Sequence, residues 1–404
     1  MILYEQEVLK IQFTKTVNLS IIMKAKPMKR IIICSLWVAL LTLSCGESEP
    51  ETTEYFDPSS LPEAEARVEL TVTDGDGFFF GNIYEIIVND RGEFAVSQPR
   101  ENQLLLFDRE GEFQQDLVHE GSGPGEIENL GFSQFQEDRL LINDRGNNRL
   151  SWFDRTEDHT YTYEGGFVHE RVDDPNLSGP HQLFVLRDER IVTTYSPNFQ
   201  MIEPEEGDPD YGILRLLDRD GQILDEEVFR YSFGEHIVDR QNGGMRVGPR
   251  PFRKASELQV SADGTIHYNW NEHLKIIRFT IGEPDTTEIN LELPAHEVTE
   301  ADRAMALNQY DSESAFYELA SEHMPETKPV VRNMMVDESG RYWINLYRQE
   351  PPHNKWMVLD FQGEPAFRFY APEQFEAHAV RENRLYGVQT EGMPKVKIVG
   401  IEPS

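Results

Sequence analysis

One unit recurs six times along the chain, and that recurrence constrains the fold more than any other feature. It is clearest as Asn102-Gln-Leu-Leu-Leu-Phe-Asp108-Arg-Glu-Gly-Glu-Phe113, and returns as Asn148-Arg-Leu-Ser-Trp-Phe-Asp154-Arg155 and Leu214-Arg-Leu-Leu-Asp218-Arg-Asp-Gly-Gln-Ile-Leu224. Weaker copies are Leu274–Phe279, Trp356–Gly363 and Lys395–Gly400. Several copies follow a hairpin with its own turn signal, as in Ile86–Val96, Leu258–His267 and Met335–Ile344. Four strands per unit, at a basic period of about 40–50 residues, is the pattern of a β-propeller. A parallel α/β sheet needs a helix between successive strands, and none is legible here. The fold class expected is all-β, a six-bladed β-propeller with a small helical insertion. The sixth copy runs out at Ile401, one strand short of a blade, while Arg67–Val72 precedes the first copy without a blade of its own. That strand is expected to close the ring as the outer strand of the last blade, which hides the sheet edges.

The stretch Asp144-Arg-Gly-Asn-Asn-Arg149-Leu-Ser-Trp-Phe-Asp154 resembles the centre of an NHL repeat, and Gly121-Ser-Gly-Pro-Gly-Glu126 resembles the link between NHL blades. The whole is similar to the six-bladed propeller lipoproteins of Bacteroidetes-type bacteria, over residues 66–402. Blades 3 and 4 depart from the NHL pattern, and long insertions interrupt it. The resemblance implies an architecture and hardly any chemistry.

Ahead of the repeats lies an address. Residues 31–43 are a short apolar run preceded by Lys24, Lys26, Lys29 and Arg30, the form of a secretory signal too short to span a bilayer comfortably. Leu41-Thr42-Leu43-Ser44-Cys45 resembles a bacterial lipobox, which implies lipidation at Cys45; a plain signal cleaved nearby is the alternative. The expected domains are residues 1–44 as signal peptide with an over-long start (Met23 or Met28 each suffices), 45–65 as lipidated Cys and flexible tether, and 66–404 as propeller. Its expected location is the cell envelope, on the periplasmic or outer-membrane surface, touching membrane only through the lipid anchor.

Composition narrows function mainly by exclusion. With 38 Lys and Arg against 72 Asp and Glu, the formal net charge of −34 rules out nucleic acid as a partner, since phosphates are repelled. Of the two cysteines, Cys34 falls in the signal and Cys45 at its end, so the folded part has neither thiol catalysis nor Cys-ligated zinc. Gly121–Glu126 lacks the Lys-Ser/Thr of a P-loop, and Asp74-Gly-Asp-Gly77 runs into Phe78 and Phe79 where a calcium loop needs a ligand and a glycine. The acidic loop Glu203–Asp210 is read as a calcium site or, more simply, a solvated loop. No nucleophile elbow or His-Glu-x-x-His helix occurs. A triad assembled across blades stays open.

Extra chain length falls on one side. First-to-second and third-to-fourth turns are short, whereas second-to-third loops and blade links carry the insertions at 196–211, 231–254, 294–328 and 348–354. Repeat folds use such faces for binding. Three features there are candidates. Arg246, Arg250 and Arg253, within the acid-free stretch from Arg240 to Lys254, suit a small anionic ligand, or else neutralise the acidic surface. Thr299-Glu-Ala-Asp302 has the form of a capping box and opens a helical insertion over about 295–328, either a lid or a packed appendage. His181 and His378, near the inner strands of blades 3 and 6, are candidate ligands for a divalent metal, zinc or calcium, as in some propeller lyases; polar or core roles are the alternative. The function expected is ligand or protein binding through the loop-rich face; the alternative is a metal-dependent hydrolase or lyase in the channel.

Overall fold

The computed structural model describes residues 55–169, 174–199, 211–240, 244–312, 314–348, 354–389 and 391–403. The signal, Cys45 and the acidic loop Glu203–Asp210 lie outside them. Six antiparallel sheets follow one another along the chain. Blade 1 is Glu85–Val88, Phe94–Gln98, Gln103–Phe107 and Phe113–Asp116; blade 2 is Leu130–Gln136, Arg139–Asp144, Arg149–Arg155 and Tyr161–Val168. Blade 3 has a split inner strand, Leu177–Ser178 and Leu183–Val185, both paired to Ile191–Pro197, then Tyr211–Leu217 and Ile223–Ser232. Blade 4 is Ser256–Val260, Thr265–Trp270, Leu274–Thr280 and Thr286–Leu291; blade 5 is Val331–Val336, Tyr342–Leu346, Lys355–Leu359 and Pro365–Tyr370. Blade 6 is Phe375–Arg381, Arg384–Gln389 and Lys395–Glu402, completed by Glu65–Val72 from the start of the propeller. That closing strand pairs antiparallel with the last one, from Glu65 opposite Glu402 to Val72 opposite Val396.

The six copies seen in sequence are the six third strands. Each is flanked by a sheet neighbour on both edges and by another blade on both faces, so its residues alternate between two cores. Leu104 and Leu106 join a cluster with Leu130, Leu140 and Ile142 of blade 2, while Leu105 and Phe107 join one with Tyr386, Val396 and Ile398 of blade 6. In blade 5, Trp356 and Val358 face blade 6, and Met357 and Leu359 face blade 4. One such cluster fills every junction between neighbouring blades. The junction of blades 2 and 3 is the most thinly filled, by Leu141, Leu150, Leu183, Val185, Ile191 and Leu217.

Polar residues of the repeat serve its turns. Asp108 Oδ1 accepts from the backbone N–H of Glu110 and Glu112 at 3.0 and 2.9 Å, and Gly111 turns the chain at φ +85°. Asp218 and Asp360 accept the same bond from Gln222 and Glu364. Asn102 sits at φ +53° and ties blade 1 to blade 2, its Oδ1 accepting from Leu130 N–H at 2.9 Å and its Nδ2 donating to Ile127 O at 3.1 Å. Asp144, fully buried, accepts from the N–H of Asn129 at 3.1 Å and of Gly146 at 3.1 Å, and from Asn147 Nδ2 at 2.6 Å. These roles account for the Asp, Gly and Asn of the NHL-like motif.

Residues 56–64, expected within the tether, instead pack across blades 4 and 5: Phe56 N–H donates to Glu292 O at 2.7 Å, and residues 62–64 run along the outer strand of blade 5. Ala64 N–H donates to Arg368 O at 2.8 Å, Arg368 N–H to Pro62 O at 2.9 Å, and Glu63 pairs with the Arg368 guanidinium. Ala64 is itself buried in the core between blades 5 and 6. A tether can therefore end no later than about Tyr55.

Candidate functional site

All turns on one face of the ring are tight, while the opposite face carries the long links. The link from blade 3 to blade 4 contains a hairpin, His236–Asp239 with Arg246–Pro249. The link from blade 4 to blade 5 contains helices α1 (Glu300–Leu307) and α2 (Ala315–Glu322). The capping box forms: Thr299 Oγ1 accepts from Asp302 N–H at 3.2 Å, and Thr299 N–H donates to Asp302 Oδ2 at 3.0 Å. Lys328, almost wholly buried, reaches Asp302 Oδ1 at 2.8 Å and Arg348 O at 3.1 Å, fastening α1 to blade 5. Phe316 of α2 packs over Gly248 of the hairpin, where a Cβ would stand 2.8 Å from the ring. Both helices are thus packed parts of the face.

The basic stretch does not converge into one anion site. Arg250 Nη1 stands 3.6 Å from Glu235 Oε1, and Lys254 Nζ is 2.6 Å from Glu272 Oε1. Arg246 lies opposite Asp239 at the far end of the hairpin, exposed. Arg253 donates to His236 Nε2 at 3.3 Å, while His236 Nδ1 bonds Gly234 O at 2.9 Å. That arrangement needs a neutral imidazole, and burial followed by Arg253 and Arg250 holds its pKa below the ordinary value. The pattern is mostly neutralisation of neighbouring carboxylates, with Arg246 and Arg253 the two arginines left to a ligand.

Arg253 belongs to another group, at the channel mouth between blades 4 and 5. Glu257, third residue after Lys254 on the inner strand of blade 4, is pushed up to about 7 by burial, against the pull of Met334 N–H and of Arg253. Tyr347 is raised by burial, with Arg332, Glu257 and Arg253 all acting on it. Arg253 and Arg332 are exposed. Two solvent-facing guanidinium groups therefore lie close to a half-buried carboxyl and a half-buried phenol.

The polar side chains of the inner strands are mostly tied to the next blade. Glu85 of blade 1 leans on the backbone N–H of Ser133 and is pushed up to about 8 by burial, its Oε2 having no partner. Gln134 Oε1 accepts from Val185 N–H at 3.0 Å, Gln136 Nε2 donates to Leu186 O at 3.1 Å, and Asn333 Nδ2 donates to Ala377 O at 3.2 Å. Glu257 bonds blade 5 through Met334, and His378 bonds blade 1 through the Tyr84 backbone. These side chains link the inner edges of successive blades.

Of the two histidines expected as metal ligands, His181 stands at the inner strand of blade 3 and His378 on that of blade 6. Among the described residues no group of three or more His, Cys, Asp or Glu is placed to hold a metal ion. His181 instead bonds hydroxyls: its Nε2 is 2.5 Å from Ser196 Oγ and 3.5 Å from Ser178 Oγ. Burial, then Arg145, holds the His181 pKa down, so the ring is a neutral acceptor. His267 is buried between Ser261 Oγ and Tyr342 OH, each at 3.0 Å, and burial drives it down to about 4; it is a core histidine.

No family model matches the sequence, and no curated protein is similar to it. Solved structures do resemble it. A Bacteroides fragilis protein described as exported has 12% identity and a TM-score of 0.49, over 86% of this chain and 98% of that one. A DUF4221 family member from Bacteroides vulgatus has 9% identity and a TM-score of 0.48, over 85% and 100%. Virginiamycin B lyase from Staphylococcus aureus has 11% identity and a TM-score of 0.43, over 84% and 99%. At such identities the likeness is one of fold.

Proposed function

We propose that this propeller is a binding module that receives a ligand or partner protein on its loop-rich face, over the channel mouth. The observation that carries the reading is the pair of exposed arginines, Arg253 and Arg332, beside half-buried Glu257 and Tyr347, on the face that holds nearly all the extra chain. In a chain of net charge −34, cations left facing solvent suit an anionic group, a carboxylate, sulfate or phosphate held by forked hydrogen bonds. The inner-strand polar groups support binding over channel chemistry, because most are engaged with neighbouring blades. The signal-like segment and Leu41–Cys45 support a lipid-anchored location at the cell envelope.

The test is an array of carboxylated, sulfated and phosphorylated glycans and peptides probed with the protein. Binding to anionic members, weakened about 10–100-fold in Arg253→Ala/Arg332→Ala at unchanged melting temperature, is the expected result. Equal binding by the double variant would sink the reading. Exchanging Cys45 for Ser should release the protein from membranes.

A second reading has its own observation, the Ser196–His181 hydrogen bond, which is the contact an acyl-transfer nucleophile needs. A fluorophosphonate probe would label Ser196 and lose that label in His181→Ala. No label on Ser196 removes this reading.

A further inference from the structure

Blade 3 breaks the rule its own repeat sets. Counting back from the turn aspartates Asp108, Asp154 and Asp360, the third residue is Leu105, Ser151 or Met357, all fully buried. Counted likewise from Asp218, that residue is Arg215, which is 5% exposed. A guanidinium thus occupies a core position, on the face of blade 3 turned toward blade 2. Its compensation is incomplete. It lies over the Tyr195 ring at 4.9 Å, and its Nη2 is 3.9 Å from the carboxylate of Glu226, an exposed side chain. Its Nε has no partner at all. Directly across the strand pair, and so on the same face, Thr193 also leaves its buried Oγ1 without a partner. Leaving such donors dry costs about 1–3 kcal/mol each, more for a charged group.

A cavity of about 160 Å³ opens beside Arg215. That is about five waters' worth of space, enough for a small metabolite. Leu177 and Ile213 make its apolar wall, and Asp174 and Glu226 bring carboxylates to its lining. Arg230, although also on the lining, is already held by both oxygens of Glu227, at 3.0 and 2.6 Å, and stacks on Tyr211 at 4.4 Å. Arg215 is therefore the cation free to take a ligand. The charged lining side chains are two arginines and three acids, so a bare anion would meet net negative charge.

We propose that this cavity binds a small zwitterion of the free amino-acid type, with its carboxylate on Arg215 and its ammonium group toward Asp174 and Glu226. The site lies within blade 3, apart from the channel mouth, and stands or falls independently of the function proposed there. A carboxylate in the cavity gives the Arg215 guanidinium a closer partner than Glu226 at 3.9 Å, and the acids that disfavour a plain anion hold the ammonium end. The apolar wall favours a short aliphatic side chain.

The test is calorimetric titration and thermal shift of the whole protein with glycine, alanine and valine, beside acetate, propionate and the matching amines. The expected result is a rise in melting temperature and measurable heat for an amino acid, with both single-charge analogues at least 30-fold weaker. Arg215→Leu, which restores the residue type of Leu105, should abolish binding and raise the melting temperature of the ligand-free protein. Glu226→Gln, on an exposed side chain, should weaken amino-acid binding and leave folding unchanged. The proposal is overturned if none of the amino acids binds at millimolar concentration. It is equally overturned if acetate binds as well as glycine, or if Arg215→Leu retains the affinity.

Discussion

Glu85 and Glu257 show how single residues trade stability for position. Both carboxyls are raised in the fold, to about 8 and about 7, because burial disfavours the charged form. Their contribution is full below the unfolded value near 4.5 and is lost as pH rises through the folded pKa, since the unfolded chain releases protons that the fold retains. Glu85→Gln should therefore raise the melting temperature by about 2 °C or more at pH 8 and leave it nearly unchanged at pH 4, in thermal melts at both. An equal shift at the two pH values would mean that the fold does not raise this carboxyl above its unfolded value. His169 and His267 work in the opposite sense. Burial lowers each to about 4, so their share is present above the unfolded value near 6.5 and disappears as pH falls from there toward 4. Asp144 is a different case, an acceptor for several backbone N–H groups at once. Asp144→Ala leaves those donors dry and should cost about 2–4 kcal/mol in urea unfolding.

At the scale of the element, the turns and the closing strand separate two demands that glycine and edge strands meet. Gly363 and Gly282 both sit at positive φ, +91° and +87°, but a Cβ on Gly363 would stand 2.5 Å from Ile289 of the neighbouring blade, whereas one on Gly282 meets nothing within 4 Å. Gly282→Ala should cost about 1 kcal/mol, the backbone share alone, and Gly363→Ala clearly more, because the blade junction must also shift. The closing strand makes the ring a ring. A chain beginning at residue 73 exposes the edge of Lys395–Glu402 together with the cores that Val72 and Ala64 complete, and should aggregate or melt without cooperativity. A chain beginning at residue 55 should stay monomeric and melt in one transition, which size-exclusion chromatography and calorimetry would separate.

Across the whole molecule, the net charge of −34 acts against a closed ring through self-repulsion, and many of the ion pairs among the described residues are exposed and individually weak. Screening should therefore stabilise it: a higher melting temperature in 500 mM than in 20 mM NaCl is expected, and a fall would mean that the ion pairs outweigh the repulsion. The architecture was legible because a third strand buried on both faces must be apolar along its length, and such a run stands out six times. The closing strand was legible by arithmetic, as one strand too many at the start and one too few at the end. Turn residues were legible because Asp, Asn and Gly answer local backbone demands within a few residues. The fate of the charges was not. Arg250 meets Glu235, Arg253 meets His236 and Lys328 meets Asp302 only once each link has folded back on itself. His181 and His378 share a residue type and a strand position, yet one belongs to blade 3 and the other to blade 6. The cavity at Arg215 depends on how the strands of blade 3 and the segment leading into it pack around one buried guanidinium. Local pattern decides what a segment must become, because hydrogen bonding and burial act along the strand; which side chains meet is decided by tertiary packing, because those distances exist only after the ring has closed.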